Sequence, residues 1–226
     1  DHVKTIEDAV KCLKTGFTMF TIDAADHINR QGVNLNDGEA VRALNQHEAA
    51  EALRAEYVQK GPLTLKDGKQ SLTIAFAEAD LGRAVAVYGK AVAHMATLYQ
   101  ALKAAAGSAA QFDFEVSIDE TDTDTLPRDH YFVASELKRA GVSVQSLAPK
   151  FVGQFQKGID YIGDKKVFEK QFSDHCLIAK HLGGYKISVH SGSDKFSIFP
   201  IIGRVSMDLL AVGVFARPVP LDERPQ

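Results

Sequence analysis

The chain lacks the marks of several protein classes. No apolar run approaches the roughly 20 residues of a membrane span, so a soluble, cytoplasmic protein is expected. Its formal net charge of −3 leaves no basic excess of the kind nucleic-acid binders carry. Only Cys12 and Cys176 are present, too few and too far apart for a disulfide framework, and they read as reduced thiols on helices. No Gly-x-Gly-x-x-Gly follows any predicted strand, which argues against a dinucleotide fold. Internal repeats and low-complexity tracts are missing too. The chain starts at Asp1-His2 without a methionine or a signal-peptide pattern, and reads as an internal fragment.

What is present is one soluble domain's worth of sequence, 226 residues at 45% hydrophobic. Thr5-Ile-Glu-Asp8 caps a short helix that Gly16 closes. Phe17 to Ile22 reads as a buried strand ending at Asp23. A polar loop with Gly32, Asn34, Asn36 and Gly38 then leads to a helix from about His47 to Lys60, and Lys66-Asp-Gly-Lys69 is a turn. Leu81, Val85, Tyr88, Val92, Met95, Leu98 and Leu102 form one stripe on a long helix over 78–106. A strand over 112–118, a helix near 130–140, a strand over 142–147, a helix over 164–182 and a strand over 185–190 follow. Four strands separated by helices imply a parallel sheet, and the fold expected is a partial (β/α)8 TIM-type barrel over 1–203. Residues 204–226, with Pro218, Pro220 and Pro225, are expected to be an atypical, loosely packed tail that lacks the final strand.

The most informative pattern is a parity. Phe112, Phe114, Val116 and Ile118 alternate with Asp113, Glu115, Ser117 and Asp119, and Tyr185, Ile187 and Val189 alternate with Lys186, Ser188 and His190. Successive strand side chains point to opposite faces, so each strand has one apolar and one polar side. Fully covered parallel strands usually read as continuous apolar runs. A polar barrel interior with chemistry at its mouth accounts for both strands. Glu115 pointing inward must be protonated, paired or metal-bound, and His190 ends its strand beside a Ser191-Gly192-Ser193 turn with Lys195 beyond it. Imidazole and carboxylate together suit Zn, Mn, Fe, Co or Ni. Lys150, Asp119 and Glu120 lie at other strand ends and Asp1-His2 at the mouth of a preceding one. His27, His47, His94, His175 and His181 have no evident partners and read as structural.

These segments resemble the tagaturonate/fructuronate epimerases of hexuronate catabolism. The matching stretches include Asp-His-Val-Lys-Thr at residue 1 and Phe-Glu-Val-Ser-Ile-Asp-Glu120. Leu-Ala-Pro-Lys-Phe-Val-Gly153 and Gly-Gly-Tyr-Lys-Ile-Ser-Val-His-Ser-Gly-Ser-Asp-Lys-Phe196 extend the likeness to about residue 203. More distantly the layout is similar to class II metal-dependent aldolases. The resemblance implies a metal-dependent isomerase of roughly twice this length, acting on a small sugar-acid substrate with neither nucleic acid nor membrane as partner. It implies His2 and His190 as metal ligands and Asp1 as the acid/base that shuttles the hydroxyl proton; the polar parity adds Glu115 as a ligand, and their strand-end positions add Asp119 and Lys150 as catalytic groups. Lys186, Ser191, Gly192, Ser193, Lys195 and Glu120 would hold the substrate. Class II aldolases have a further histidine where this chain has Leu147-Ala-Pro-Lys150, so Glu115 is the substitute ligand.

The carbon inverted between tagaturonate and fructuronate lies one bond beyond the carbon next to the ketone, so the carbonyl does not acidify its C–H. Retro-aldol cleavage and re-formation can invert it, aided by a divalent cation as Lewis acid. The alternatives are a sugar aldolase, which releases the aldehyde, and an inactive fragment or sugar-acid-binding module. The fragment alone is expected to be inactive and aggregation-prone, with an exposed apolar interior.

Overall fold

The computed structural model describes residues 2–107, 111–208 and 213–215, with His2, residues 207–208 and residues 213–215 described by backbone only. The strands that form the sheet are β1 (His2–Val3), β2 (Met19–Asp23), β5 (Asp113–Ser117), β6 (Ser146–Ala148), β7 (Lys186–Val189) and β8 (Gly213–Phe215). Between β2 and the long helix a separate hairpin intervenes, β3 (Leu63–Asp67) and β4 (Gln70–Ile74). The helices are α1 (Ile6–Lys14), α2 (Asp37–Asn45), α3 (Ala50–Arg54), α4 (Glu78–Ala106), α5 (Pro127–Arg139), α6 (Lys165–Leu182) and α7 (Phe199–Asp208).

All six sheet strands are parallel, and their order across the sheet, β1-β2-β5-β6-β7-β8, is their order along the chain. No reversal of order occurs, so the sheet has no switch point of the doubly wound kind. Among the described residues it is open, with β1 and β8 at its edges. The register aligns His2, Thr21, Glu115, Ser146 and Lys186 in one row, and Asp23, Ser117 and Ala148 in the next. Paired residues of parallel strands share a face, so the polar parity runs across the sheet. The opposite face carries Phe20, Phe114, Ile22, Val116, Leu147 and Ile187, all fully buried beneath the helices.

Local signals explain the helices. Thr5 accepts from Asp8 N at the start of α1, and Asp164 accepts from the amides of Lys166 and Val167 at the start of α6. Asn36 and Glu39 form a reciprocal capping box that starts α2. Along α4 the buried positions include the expected stripe from Leu81 to Leu102. Helix α4 crosses α2 so closely that a Cβ added to Gly82 would lie 2.1 Å from the Ala40 carbonyl oxygen. Only glycine permits that approach.

The differences from the sequence expectation have physical causes. The segment over 32–45 contains α2, which a loop reading of its asparagines and glycines hides. Leu63 to Ile74 is an antiparallel hairpin around Gly68, whose φ is +54°. The strand expected over 142–147 is shorter and later, because the Val142 amide donates to the Leu137 carbonyl of α5 at 3.0 Å instead of joining the sheet. The region after Gly203 is not uniformly loose: α7 continues to Asp208, and β8 pairs with β7. The sheet face turned away from the helices is polar, as the parity predicts, and is not the exposed apolar interior expected of a fragment. No described helix is long and apolar enough to cross a membrane.

Candidate active site

The polar row converges at the C-terminal ends of β5 and β7. Glu115, in the middle of β5, is 4% exposed. Its carboxylate accepts from Thr21 Oγ1 at 3.0 Å on β2 and from Ser146 Oγ at 2.5 Å on β6. The flanking strands thus each contribute one hydroxyl. His190, just past β7, reaches across to it: Nε2 lies 3.2 Å from Glu115 Oε1. The other ring nitrogen, Nδ1, lies 3.1 Å from Asp119 Oδ2, at the end of β5. Ser117 donates in turn to Asp119 Oδ1. The result is an imidazole held between two carboxylates, each oriented by hydroxyl groups.

Electrostatics follow from this packing. Burial disfavours a charged His190, but hydrogen bonds and charge from Asp119 and Glu115 prevail and raise its pKa to about 10. Burial likewise pushes the Glu115 carboxyl up, yet hydrogen bonds from His190 and Ser146 hold it below the usual carboxylate range. Asp119 is treated the same way, burial being outweighed by the His190 hydrogen bond. In the metal-free site the three groups therefore form an ionised carboxylate–imidazolium–carboxylate array.

A cavity of about 170 Å³ opens beside the array, lined by Asp119, Lys150, Phe151, Phe155, His190 and Ser191, among others. The Lys150 amide donates to Thr125 Oγ1 at 2.9 Å, and its ammonium donates to the Thr121 carbonyl. That leaves further N–H groups of the ammonium for a ligand. Ser191 has φ +52°, the one positive φ outside glycine among the described residues. Gly192 is packed beneath the turn, where an added Cβ would lie 2.8 Å from the Val189 carbonyl oxygen.

The anticipated residues thus divide. Glu115, Asp119 and His190 come together, and Lys150 and Ser191 border the same cavity. Lys195 does not offer a free ammonium: it is fully buried and donates to the carbonyls of Gln156 and Ile159, both at 2.7 Å. Lys186 is exposed at the far end of β7, four residues before His190. Glu120 is exposed and lies 3.9 Å from Arg30, and Ser193 is exposed at the surface of the turn. Asp1 lies outside the described residues. Of His2 only the backbone is described, in register with Thr21 and so in the row of Glu115.

Sequence reading overlooked the hydroxyls of Thr21, Ser117 and Ser146 as supports, although all three sit on the polar parity. It also gave His27, His94 and His175 no partners. His130 Nδ1 is 2.9 Å from His175 Nδ1, and its Nε2 is 2.7 Å from the Tyr185 hydroxyl. His27 stacks on His94 with ring centroids 3.8 Å apart.

Glu115 and His190 are the two residues that could share a cation. Glu115 Oε1 and His190 Nε2 stand at a spacing that two ligands can adopt when each is about 2.0–2.2 Å from a shared metal. Asp119 on Nδ1 then resembles the outer carboxylate that commonly orients a metal-ligating imidazole. Among the described residues no group of three or more His, Cys, Asp or Glu side chains is placed so that it could hold a metal ion.

Comparison with known proteins agrees with the sequence pattern. Residues 1–213 match the family model described as tagaturonate epimerase, ten residues beyond the stretch where likeness was expected to stop. The chain is 42% identical over 212 residues to the tagaturonate/fructuronate epimerase of Thermotoga maritima, covering 94% of this chain and 42% of that protein. It is similar to the native crystal structure of fructuronate-tagaturonate epimerase from Cohnella laeviribosi, with a TM-score of 0.82 and 39% identity over 95% of this chain and 43% of the other. A glycerol-complexed structure of the same enzyme matches with the same score. The chain thus spans less than half the length of the relatives it matches.

Proposed function

Because the chain belongs to the tagaturonate epimerase family, we propose that it carries part of the catalytic site of an enzyme interconverting D-tagaturonate and D-fructuronate. The observation that carries this reading is the Glu115–His190–Asp119 array at the strand ends, open to a cavity that Lys150 borders. Sheet order without reversal supports the reading of these strands as an arc of a (β/α)8 barrel, whose mouth is where such enzymes keep their chemistry.

A divalent cation is part of the proposal. Glu115 and His190 would hold it, with His2, in the same row but two strands away on β1, as the third ligand. Bound there, it would supply Lewis-acid stabilisation of negative charge on the substrate's ketone side.

The chain's own groups have these roles. Asp119 accepts the proton of the hydroxyl on the carbon to be inverted, with Asp1 as the second candidate for that proton. As the proton leaves, the bond between that carbon and its neighbour on the ketone side breaks. Its electron pair stays on the ketone fragment as an enediolate, and an aldehyde fragment forms. The aldehyde turns over, the bond re-forms on its other face, and the proton returns to the new alkoxide. Lys150 hydrogen-bonds substrate oxygen, and the Ser191–Ser193 turn faces the substrate carboxylate. Phe151 and Phe155 narrow the cavity and restrict water, which keeps the fragments from separating.

The test is turnover of tagaturonate by the complete enzyme, with product analysis and chelation. Interconversion with every carbon retained, abolished by excess chelator and restored by a divalent metal, is the expected result. Release of a shorter aldehyde would identify an aldolase instead, and full activity in chelator would overturn the metal.

A further inference from the structure

The segment between β6 and α6 forms a closed unit on one side of the cavity. Gln154 N donates to the Ile162 carbonyl at 2.9 Å, and the Tyr161 hydroxyl donates to the Val152 carbonyl at 2.9 Å. Gly153, with φ +97°, and Gly163 press against Tyr161: an added Cβ would lie 2.7 Å from its ring at Gly153 and 2.5 Å from its hydroxyl oxygen at Gly163. Phe151, Gly153 and Phe155 of this segment face the cavity opposite His190 and Ser191.

The segment after His190 grips that unit at three points. Lys195 Nζ donates to the carbonyls of Gln156 and Ile159. Asp194 Oδ2 accepts from Gly158 N at 3.0 Å, and Asp160 Oδ1 accepts from Ser197 N at 3.1 Å. Lys195 is the one buried lysine or arginine among the described residues. Its partners are neutral carbonyls, and no carboxylate of the described residues forms an ion pair with it. Burying an ammonium is costly unless an ion pair offsets it, and an apolar side chain of similar volume would fill the space without that penalty. Stability therefore does not explain a lysine here. What a lysine does, and an apolar residue cannot, is tie two carbonyls three residues apart to the strand that ends in His190.

We propose that Lys195, assisted by Asp194, is a positioning residue: it fixes the 154–162 loop against the His190 strand end and thereby sets the width of the substrate cavity. That the cavity receives a sugar acid rests on the function proposed above. Lys195 does not touch the substrate, so its loss acts on binding rather than on chemistry.

The experiment uses the complete enzyme with Lys195→Met, Asp194→Ala and Asp194→Asn, reading tagaturonate kinetics and amide hydrogen exchange together. Lys195→Met is expected to raise KM about tenfold with kcat within about threefold. The amides of 154–162 should exchange about tenfold faster while those of α5 and α6 keep their protection. Asp194→Ala should move both readouts the same way by less, and Asp194→Asn, which keeps an oxygen for Gly158 N–H, should stay near wild type. Unchanged exchange at 154–162 in a folded Lys195→Met protein overturns the proposal, as does loss of kcat at constant KM. If Lys195→Met does not fold, the Asp194 pair decides, and identical behaviour of Ala and Asn overturns it. Should the wild type show no hexuronate turnover, the functional reading fails, while the exchange data still test the clamp.

Discussion

His190 and the His130–His175 pair place the same side chain in two opposite settings. His190 lies between Asp119 and Glu115 on the polar sheet face, and its pKa is raised to about 10. His130 and His175 are fully buried between α5 and α6, with no carboxylate of the described residues bonded to either ring. Burial lowers His175 to about 3 and His130 well below its ordinary value, the latter assisted by the neighbouring ring. Both settings are desolvated, so burial does not decide the outcome. The presence of fixed carboxylates does. One site holds a proton between two fixed carboxylates; the other is a neutral hydrogen-bonded bridge that completes a core.

The comparison is broken most directly by removing its first member. His190→Ala in the complete enzyme is expected to lower turnover at least about 1,000-fold, with an unchanged far-ultraviolet spectrum, since a strand-end truncation opens little core. Retention of activity within tenfold would remove His190 from the reaction.

Next in size is the dependence of His190 on its carboxylates. In metal-free protein, Glu115→Gln should drop the His190 pKa by about 1–3 units, the effect of one nearby opposite charge. A proton-detected titration of the ring measures it. No change would mean that Asp119 alone holds the proton.

The two settings should also respond to pH in opposite senses. The helical histidines have folded-state values below their unfolded value of about 6.5, so the unfolded chain binds more protons beneath that pH. Their contribution is complete above about pH 6.5 and is lost as pH falls toward 3, at about 2–3 kcal/mol per histidine by pH 4.5. His190 is raised, so its contribution is complete below about 6.5 and is lost as pH climbs through about 10. Denaturant melts at pH 4.5, 7 and 10 check both arms. Replacing both His130 and His175 with Phe should flatten the acid arm and leave the alkaline one.

The smallest expected effect sharpens the neutral bridge. Tyr185→Phe removes the hydroxyl that meets His130 Nε2 and leaves a buried ring nitrogen unpaired, at a cost of about 1–2 kcal/mol. A loss below about 0.3 kcal/mol in urea melts would show that the bridge is not held through Tyr185.

Which parts of this were legible in the sequence depended on periodicity. The parity of Glu115, Ser117 and Asp119 against Phe114, Val116 and Ile118 marked the polar face, and the structure puts Glu115 against His190. A period-2 pattern reports facing, and facing was the question. Partnership is another matter. Lys195 reads as a free charge beside a Ser-Gly-Ser turn, yet it is buried, because its acceptors are carbonyls some forty residues away that leave no trace in side-chain chemistry. The His130–His175 contact is equally silent, since 45 residues separate its members. The helix α2 had a visible signal in Asn36 and Glu39, masked by the loop-like composition around it. β8 was missed because prolines downstream suggested an irregular tail, although Gly213 to Phe215 precede them all.

The β3–β4 hairpin has a consequence for the order in which the molecule assembles. Its Asp67 binds the Lys180 ammonium at 2.5 Å, and its Gln70 accepts from Ser173, both on α6. These contacts close loops of more than a hundred residues, 113 for the ion pair and 103 for the hydrogen bond. On a ribosome the hairpin emerges long before its dock exists. It must wait, as a two-stranded ribbon with marginal stability of its own, until α6 has been made and packed. The insertion between β2 and α4 is therefore expected to consolidate late, and to be the place where a pause in synthesis leaves the nascent chain open to proteolysis.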